Sequence, residues 1–299
     1  MQSLTLEGET GLEEENLRFL LRSEKVQKLT LPQLDEDIVM LPFSAKVDHL
    51  DYEIKSSALL DGDVQSLNIV TQKLGFTIFE EGDAFPVETT LAFLRRLATL
   101  GHFVELKIRF TFDDDEMEVE IPDCVVQEVI RTALANPKLQ VLDLTSCDDD
   151  IVSWERHVET LLQGLKDHKK LRTLKINVDE DAFGSDYSLL RQFLTDNRNV
   201  TVMNEEDEIY TDEADIDELY SLNRFYRGSA DLVVTPSSER LSLVATALME
   251  TFSSDFQCSA LLLSDHADVL YDLVHDVRVD ELEDGLSDQR DTSKRRRRA

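Results

Sequence analysis

Apolar residues return along the first two thirds of the chain in one short phrase: an apolar position, two variable ones, an apolar position, one variable, then an apolar position. The phrase reads as VQKLTL (26–31), VDHLDY (47–52), VQSLNI (64–69), FVELKI (103–108), LQVLDL (139–144) and LRTLKI (171–176), with a worn copy, VTVM, at 200–203. Its second half alternates with period two. Leu142 and Leu144 therefore face one side while Val141, Asp143 and Thr145 face the other, and each copy predicts a short strand half-buried in a core.

Between the later copies the apolar period lengthens to that of a helix. Leu91, Leu94, Leu97 and Ala98 form one such stripe, Val125, Val129, Ile130 and Leu134 a second, and Trp154, Val158, Leu161, Leu162 and Leu165 a third. Punctuation agrees: Gly101 closes the first, Asn136-Pro137 closes the second, and Ser153 is placed to cap the third. Measured at the fourth phrase position, Leu106, Leu142, Leu174 and Met203 are 36, 32 and 29 residues apart, whereas Leu29, Leu50 and Leu67 are 21 and 17 apart. The early repeats are thus expected to be shorter or poor in helix. Residues 71–88 interrupt the series and read as an inserted strand, Leu74 to Phe79, or hairpin. After the acidic run 204–217 the pattern becomes wholly helical, at Ile216–Phe225, at Leu241–Phe252 opened by Pro236-Ser237-Ser238, and at Ala267–Asp276. The expected organisation is a repeat region over 1–205, a helical cap or small helical domain over 213–276, and an unfolded polar tail over 277–299.

The segment LQVLDLTSC (139–147) matches the phrase LxxLxLxxN/C at every position, with Leu139, Leu142 and Leu144 in the core and Cys147 at the turn. With the further LxxLxL copies and the helices behind them, the chain resembles the leucine-rich-repeat family, in its ribonuclease-inhibitor-like form. Asp179 stands where Asn or Cys is expected after LRTLKI, and repeat length drifts, so a short arc is anticipated. The fold class implied is α/β: an irregular leucine-rich-repeat solenoid of strand-helix repeats, with a curved, mostly parallel sheet and an all-helical C-terminal cap. The stretches LYSLNRFYRGSADLV (219–233) and LSLVATAL (241–248) are similar to a region of uncharacterised leucine-rich-repeat-like proteins of unicellular algae, a likeness that carries no biochemical role. The family resemblance implies recognition of a protein partner on the concave strand face, without catalysis and without a cofactor.

Composition narrows the partners. Lysine and arginine total 31 against 62 acidic residues, giving a formal charge of −31, a field that repels nucleic-acid backbones and anionic lipid surfaces. No apolar run approaches the ~18 residues of a membrane span, and the start MQSLTLEGETGLEEEN has neither the basic nor the apolar stretch of a secretory signal. Three separated cysteines, Cys124, Cys147 and Cys258, suit reduced thiols. A monomer in the cytoplasm or nucleus, not secreted, is the expectation. The terminal KRRRR, Lys294, Arg295, Arg296, Arg297 and Arg298, reads either as an import signal or as a basic tail drawn back onto an acidic body.

Little in the chain suggests catalysis. His275-Asp276 is similar to the metal-binding dyad of phosphohydrolases, with His266 as a further ligand, which leaves a metal-dependent hydrolase as one alternative. Their crowding within one or two helical turns favours exposed helix residues instead, and no metal site is expected. The acidic clusters 113–116, 148–150 and 179–186 offer oxygen ligands to calcium, but in the last Phe183 and Leu190 occupy ligand positions, so solvated repeat loops are the better reading. A second alternative is an acidic, chaperone-like binder of basic proteins.

The outward phrase positions predict the concave face. Its basic residues are Lys28, Lys107, Arg109 and Lys175, its acidic ones Asp51, Glu53, Glu105 and Asp143, and Ser66, Asn68 and Asn177 belong to the same set. This surface escapes the general acidity. It is either kept neutral for a partner, with Lys107, Arg109, Asp143, Lys175 and Asn177 at the contact, or it alternates charge to hold neighbouring strands together.

Overall fold

The computed structural model describes residues 3–6, 14–23, 25–35, 37–61, 64–82, 84–113, 119–146, 152–227, 236–251, 259, 262–264 and 266–272. Among the described residues there are ten strands: β1 (Ser3–Thr5), β2 (Lys28–Leu31), β3 (His49–Lys55), β4 (Lys73–Glu80), β5 (Glu105–Phe112), β6 (Val119–Glu120), β7 (Val141–Asp143), β8 (Val152–Ser153), β9 (Thr173–Lys175) and β10 (Thr201–Met203). Eight of them make one sheet in the order β1-β2-β3-β4-β5-β7-β9-β10, every pair parallel, and β6 with β8 makes a separate parallel pair. The fold is therefore α/β, with chain order preserved across the sheet. Among the described residues no helix is long and apolar enough to cross a membrane.

One column of the register runs through Leu4, Leu29, Leu50, Leu74, Leu106, Leu142, Leu174 and Val202. From Leu29 onward each of these is at most 1% exposed. Burial of one alternate set and exposure of the other is what holds a strand in register, since a slip of one residue would turn the leucines outward.

The helices are α1 (Glu14–Leu21), α2 (Ser56–Asp61), α3 (Val87–Leu100), α4 (Asp123–Ala135), α5 (Val158–Leu165) and α6 (Ser188–Asp196), followed by α7 (Asp215–Tyr226) and α8 (Ser237–Thr251). Those between the strands pack behind the apolar columns. Phe93 of α3 meets Phe76 of β4 edge-on at 4.8 Å between centroids and Phe43 at 5.5 Å, and Phe43 meets Tyr52 of β3 at 5.6 Å. Gly101 ends α3 at φ 61°, as its missing Cβ permits; Ser153 Oγ accepts the amide hydrogen of Glu155 at 3.2 Å, but Trp154, not Ser153, is the N-cap of the turn that leads into α5, and His157 that of α5 itself.

Three assignments change. Residues 64–69 are not a strand: Val64–Ser66 is a 3-10 turn, and the Leu67 carbonyl accepts from Arg96 Nε and Nη2 of α3, at 2.7 and 2.5 Å, instead of from a strand. Leu74 to Phe79 is a strand as expected, within β4, but 71–88 is no insertion or hairpin, because β4 lies centrally and pairs along its whole length with β5. At the last copy Val202, buried, stands opposite Leu174, and half-buried Met203 faces outward.

At the turns entering four of the strands, buried polar side chains bind the preceding turn. Thr71 Oγ1 donates to the Asp48 carbonyl at 3.0 Å. Asn136 donates to the Thr132 carbonyl at 2.8 Å and to that of Leu97 at 3.5 Å, while its Oδ1 accepts the Phe103 amide at 3.0 Å. His168 Nε2 lies 3.1 and 3.2 Å from the Ala133 and Asn136 carbonyls while Nδ1 accepts the Leu171 amide at 3.0 Å, a pattern only the neutral ring protonated on Nε2 satisfies. Asn197 donates to the His168 and Leu165 carbonyls at 3.2 and 3.4 Å. Each turn is thus tied to its neighbour by bonds that water cannot replace.

The described chain divides into two units, Met1–Asp217 and Glu218–Ala299. The second has its own small core of Leu222, Val244, Ala247, Leu262 and Val269. Residues 114–118, 147–151 and 277–299, and His275 with Asp276, lie outside the described residues.

Candidate functional site

The strand positions opposite the apolar columns form a face that the helices do not cover. Burial along β2, β3 and β5 alternates strictly between buried and half-exposed, and the half-exposed set is polar. Purely parallel sheets usually carry helices on both faces. Here one face is left to other uses.

Register places the polar side chains in rows. The row nearest the amino ends of the strands is Ser3, Lys28, His49, Lys73, Glu105 and Val141, and the next is Thr30, Asp51, Gly75, Lys107, Asp143 and Lys175. Lys73, Gly75 and Thr77 of β4 thus take the places expected for Ser66 and Asn68. Within these rows charges pair across strands: Lys73 Nζ with Glu105 at 3.2 Å, and Lys107 Nζ with Asp143 at 3.2 Å. Arg109 reaches past β4 to Asp51 at 3.3 Å, over Gly75. A Cβ on Gly75 would stand 2.9 Å from Asp51 Oδ1, so glycine makes room for the pair. Lys175 pairs with Asp207 rather than with Asp143, whose Oδ1 instead accepts from the Thr145 hydroxyl at 2.6 Å and amide at 3.1 Å. Asn177 Oδ1 accepts the Glu205 amide at 3.1 Å.

The five residues singled out on this face are therefore on one surface, but each is engaged within the chain. Lys107 pairs with Asp143 and Arg109 with Asp51 across the strands; Lys175 and Asn177 hold the loop after β10. Beside Asn177 opens a cavity of about 410 Å³, lined also by Asp179, Glu205, Glu206, Glu155 and Tyr210. Phe183, the residue at a ligand position of the calcium-loop pattern, is fully buried and packs on Tyr210 at 4.8 Å, while Asp179, Glu180, Asp181 and Asp186 around it are exposed. Among the described residues no three His, Cys, Asp or Glu side chains converge as metal ligands.

His266 is not the exposed helix residue the pattern suggests. It is 4% exposed, and its Nδ1 lies 2.7 Å from a guanidinium nitrogen of Arg240, which also pairs with Asp268 at 2.6 Å. A guanidinium against the ring repels a metal cation.

His49 is held below the ordinary histidine range, first by burial and then by the contest of Glu105 and Asp51, which raise it, against Lys28 and Lys73, which lower it. The unfolded chain therefore binds the His49 proton more readily than the folded one, and stability falls as pH drops from about 6.5 through the folded value. In His49→Gln this part of the acid loss is removed, as urea titrations at pH 7.5 and 5 will show by a smaller difference than in the parent.

Fold and face together define an α/β protein with an ordered parallel sheet, open and charged on one side. No protein-family model, curated protein or solved structure matches the chain.

Proposed function

We propose that the chain is a non-catalytic recognition scaffold of the cell interior, an irregular leucine-rich-repeat-like arc that binds a protein partner on its open sheet face. The observation that carries this reading is the uncovered side of a parallel sheet on which paired charges, not apolar residues, meet solvent. Such a surface is soluble alone and offers a fixed pattern of hydrogen-bonding and charged groups to a complementary protein. The acid-lined cavity beside Asn177 favours a second reading, an acidic binder of basic proteins.

Charge reversal at Lys107 and Arg109 is a poor test, because it sets new carboxylates against Asp143 and Asp51 and loosens the sheet itself. Lys107→Gln with Arg109→Gln keeps donors in place while removing the charge. On capture from native cell extract at low and moderate salt, the double variant loses a discrete protein that the parent retains, with an unchanged circular dichroism spectrum. Retention of that protein by the variant contradicts the face assignment. Retention of many basic proteins, released by salt alone, supports the second reading instead.

A further inference from the structure

The cations of the open face are not treated alike. Lys73, Lys107, Arg109 and Lys175 each face a carboxylate, those of Glu105, Asp143, Asp51 and Asp207. Among the described residues Lys28 has no ion pair. It stands directly opposite His49, which stands directly opposite Lys73, on three consecutive strands, Lys28 and His49 half-exposed and Lys73 exposed. Within this row Lys73 is offset by Glu105 on the next strand, so Lys28 is the cation left without a carboxylate opposite it.

We infer that Lys28, His49 and Lys73 form a carboxylate-binding row, which takes acidic side chains from an extended peptide segment of the protein partner. The inference rests on the reading of this face as a recognition surface and names the chemistry it recognises there. Adjacent strands are about 4.8 Å apart, so the row spans roughly 10 Å, and alternate side chains of an extended segment lie about 7 Å apart on one side. One carboxylate then sits between Lys28 and His49 and the next reaches Lys73, with the exposed Ser3 at the end of the row. Charge complementarity selects this occupant: an incoming carboxylate supplies Lys28 with the counter-charge that Glu105 already gives Lys73. The groups facing His49 are Lys28 on β2, Asp51 on its own strand, Lys73 on β4 and Glu105 on β5. An added anion joins Asp51 and Glu105 in favouring the imidazolium, so binding takes up a proton and strengthens as pH falls.

The full chain is titrated with hexaglutamate, with hexaglutamine and with inorganic phosphate, while the His49 ring signals, assigned with His49→Gln, are followed by NMR across pH. Hexaglutamate moves the His49 titration to higher pH and binds about tenfold more tightly at pH 5.5 than at pH 7.5, and hexaglutamine does neither. Lys28→Gln weakens hexaglutamate binding about tenfold and Lys28→Arg restores it, whereas Lys138→Gln, in an exposed turn between α4 and β7, has no effect. The inference is overturned by an unmoved His49 titration, by a response that survives Lys28→Gln or is lost equally in Lys138→Gln, or by a response to phosphate without one to hexaglutamate. If the row fails while partner capture still depends on Lys107 and Arg109, the recognition face stands and only its assigned ligand is wrong.

Discussion

Asn136→Ala lowers the stability of the sheet-bearing unit by about 2 to 4 kcal/mol, the cost of leaving buried backbone groups without partners. The side chain is fully buried and joins three segments: the end of α4 through the Thr132 carbonyl, the end of α3 through that of Leu97, and the approach to β5 through the Phe103 amide. Alanine at this C-cap position deletes all three contacts in a space that water does not reach. The control is Asn199→Ala. Asn199 is also an asparagine at a helix-to-strand turn with backbone and side-chain contacts, but its bonds to Arg172 and Lys169 are exposed, and the loss is expected within about 0.5 kcal/mol. Trp154, the one tryptophan of the chain, is 3% exposed within this unit, so urea unfolding followed by its fluorescence reads the two variants directly.

Gly164→Ala destabilises by about 1 to 3 kcal/mol, although alanine is the better helix former by about 1 kcal/mol. Gly164 lies in α5, and a Cβ there would stand 2.6 Å from Ile130 Cγ2 and 2.7 Å from Ile130 Cδ1 of α4. Close approach of the two helices therefore depends on the missing methyl, and crowding outweighs propensity. The coupling is visible in a double-mutant cycle. Ile130→Ala costs about 2 to 5 kcal/mol alone and clearly less when Gly164→Ala is present, because the new methyl fills part of the space the isoleucine leaves. Independent, additive effects in the same fluorescence assay would show that α4 and α5 are not packed through these residues.

Several elements were legible because their periods are strong. The spacing of Leu106, Leu142 and Leu174 gave three strands in register, and the stripe Val158, Leu161, Leu162, Leu165 gave a helix with all four residues buried. The middle of the sheet was misassigned for a definite reason. VQSLNI satisfies the phrase with Val64, Leu67 and Ile69, all of which are buried, yet its backbone is bound by Arg96; the copy that does carry a strand, TQKLGF (71–76), opens with Thr71 where the phrase requires an apolar residue, and β4 starts at Lys73. A buried threonine satisfied by the Asp48 carbonyl has no apolar signature. β1 is not among the expected strands, although MQSLTL carries the full phrase and Leu4 stands in the apolar column beside Leu29.

The face was visible in outline and its chemistry was not. Period two placed Lys107, Arg109, Asp143 and Lys175 on one side, but which carboxylate each cation meets depends on register and on a glycine. The Arg109–Asp51 pair crosses an intervening strand over Gly75, a relation no spacing rule contains. The row of Lys28, His49 and Lys73 was hidden because its third member fell in the segment read as an insertion. The polar ties at the turns left a faint trace in the chain, since Asn136, His168 and Asn197 each stand three residues before an apolar position, Leu139, Leu171 and Val200.

The central claim, that the open face of the sheet is where the partner docks, is tested most directly by photo-crosslinking in native extract. Benzoylphenylalanine is placed at Val141, half-exposed in the outward row of β7, and in a separate protein at Gln127, exposed on α4. The account predicts a discrete crosslinked protein from position 141, competed by excess unlabelled parent chain, and none from position 127. Crosslinks from the helical side alone, or equally from both positions, would place recognition elsewhere and contradict it.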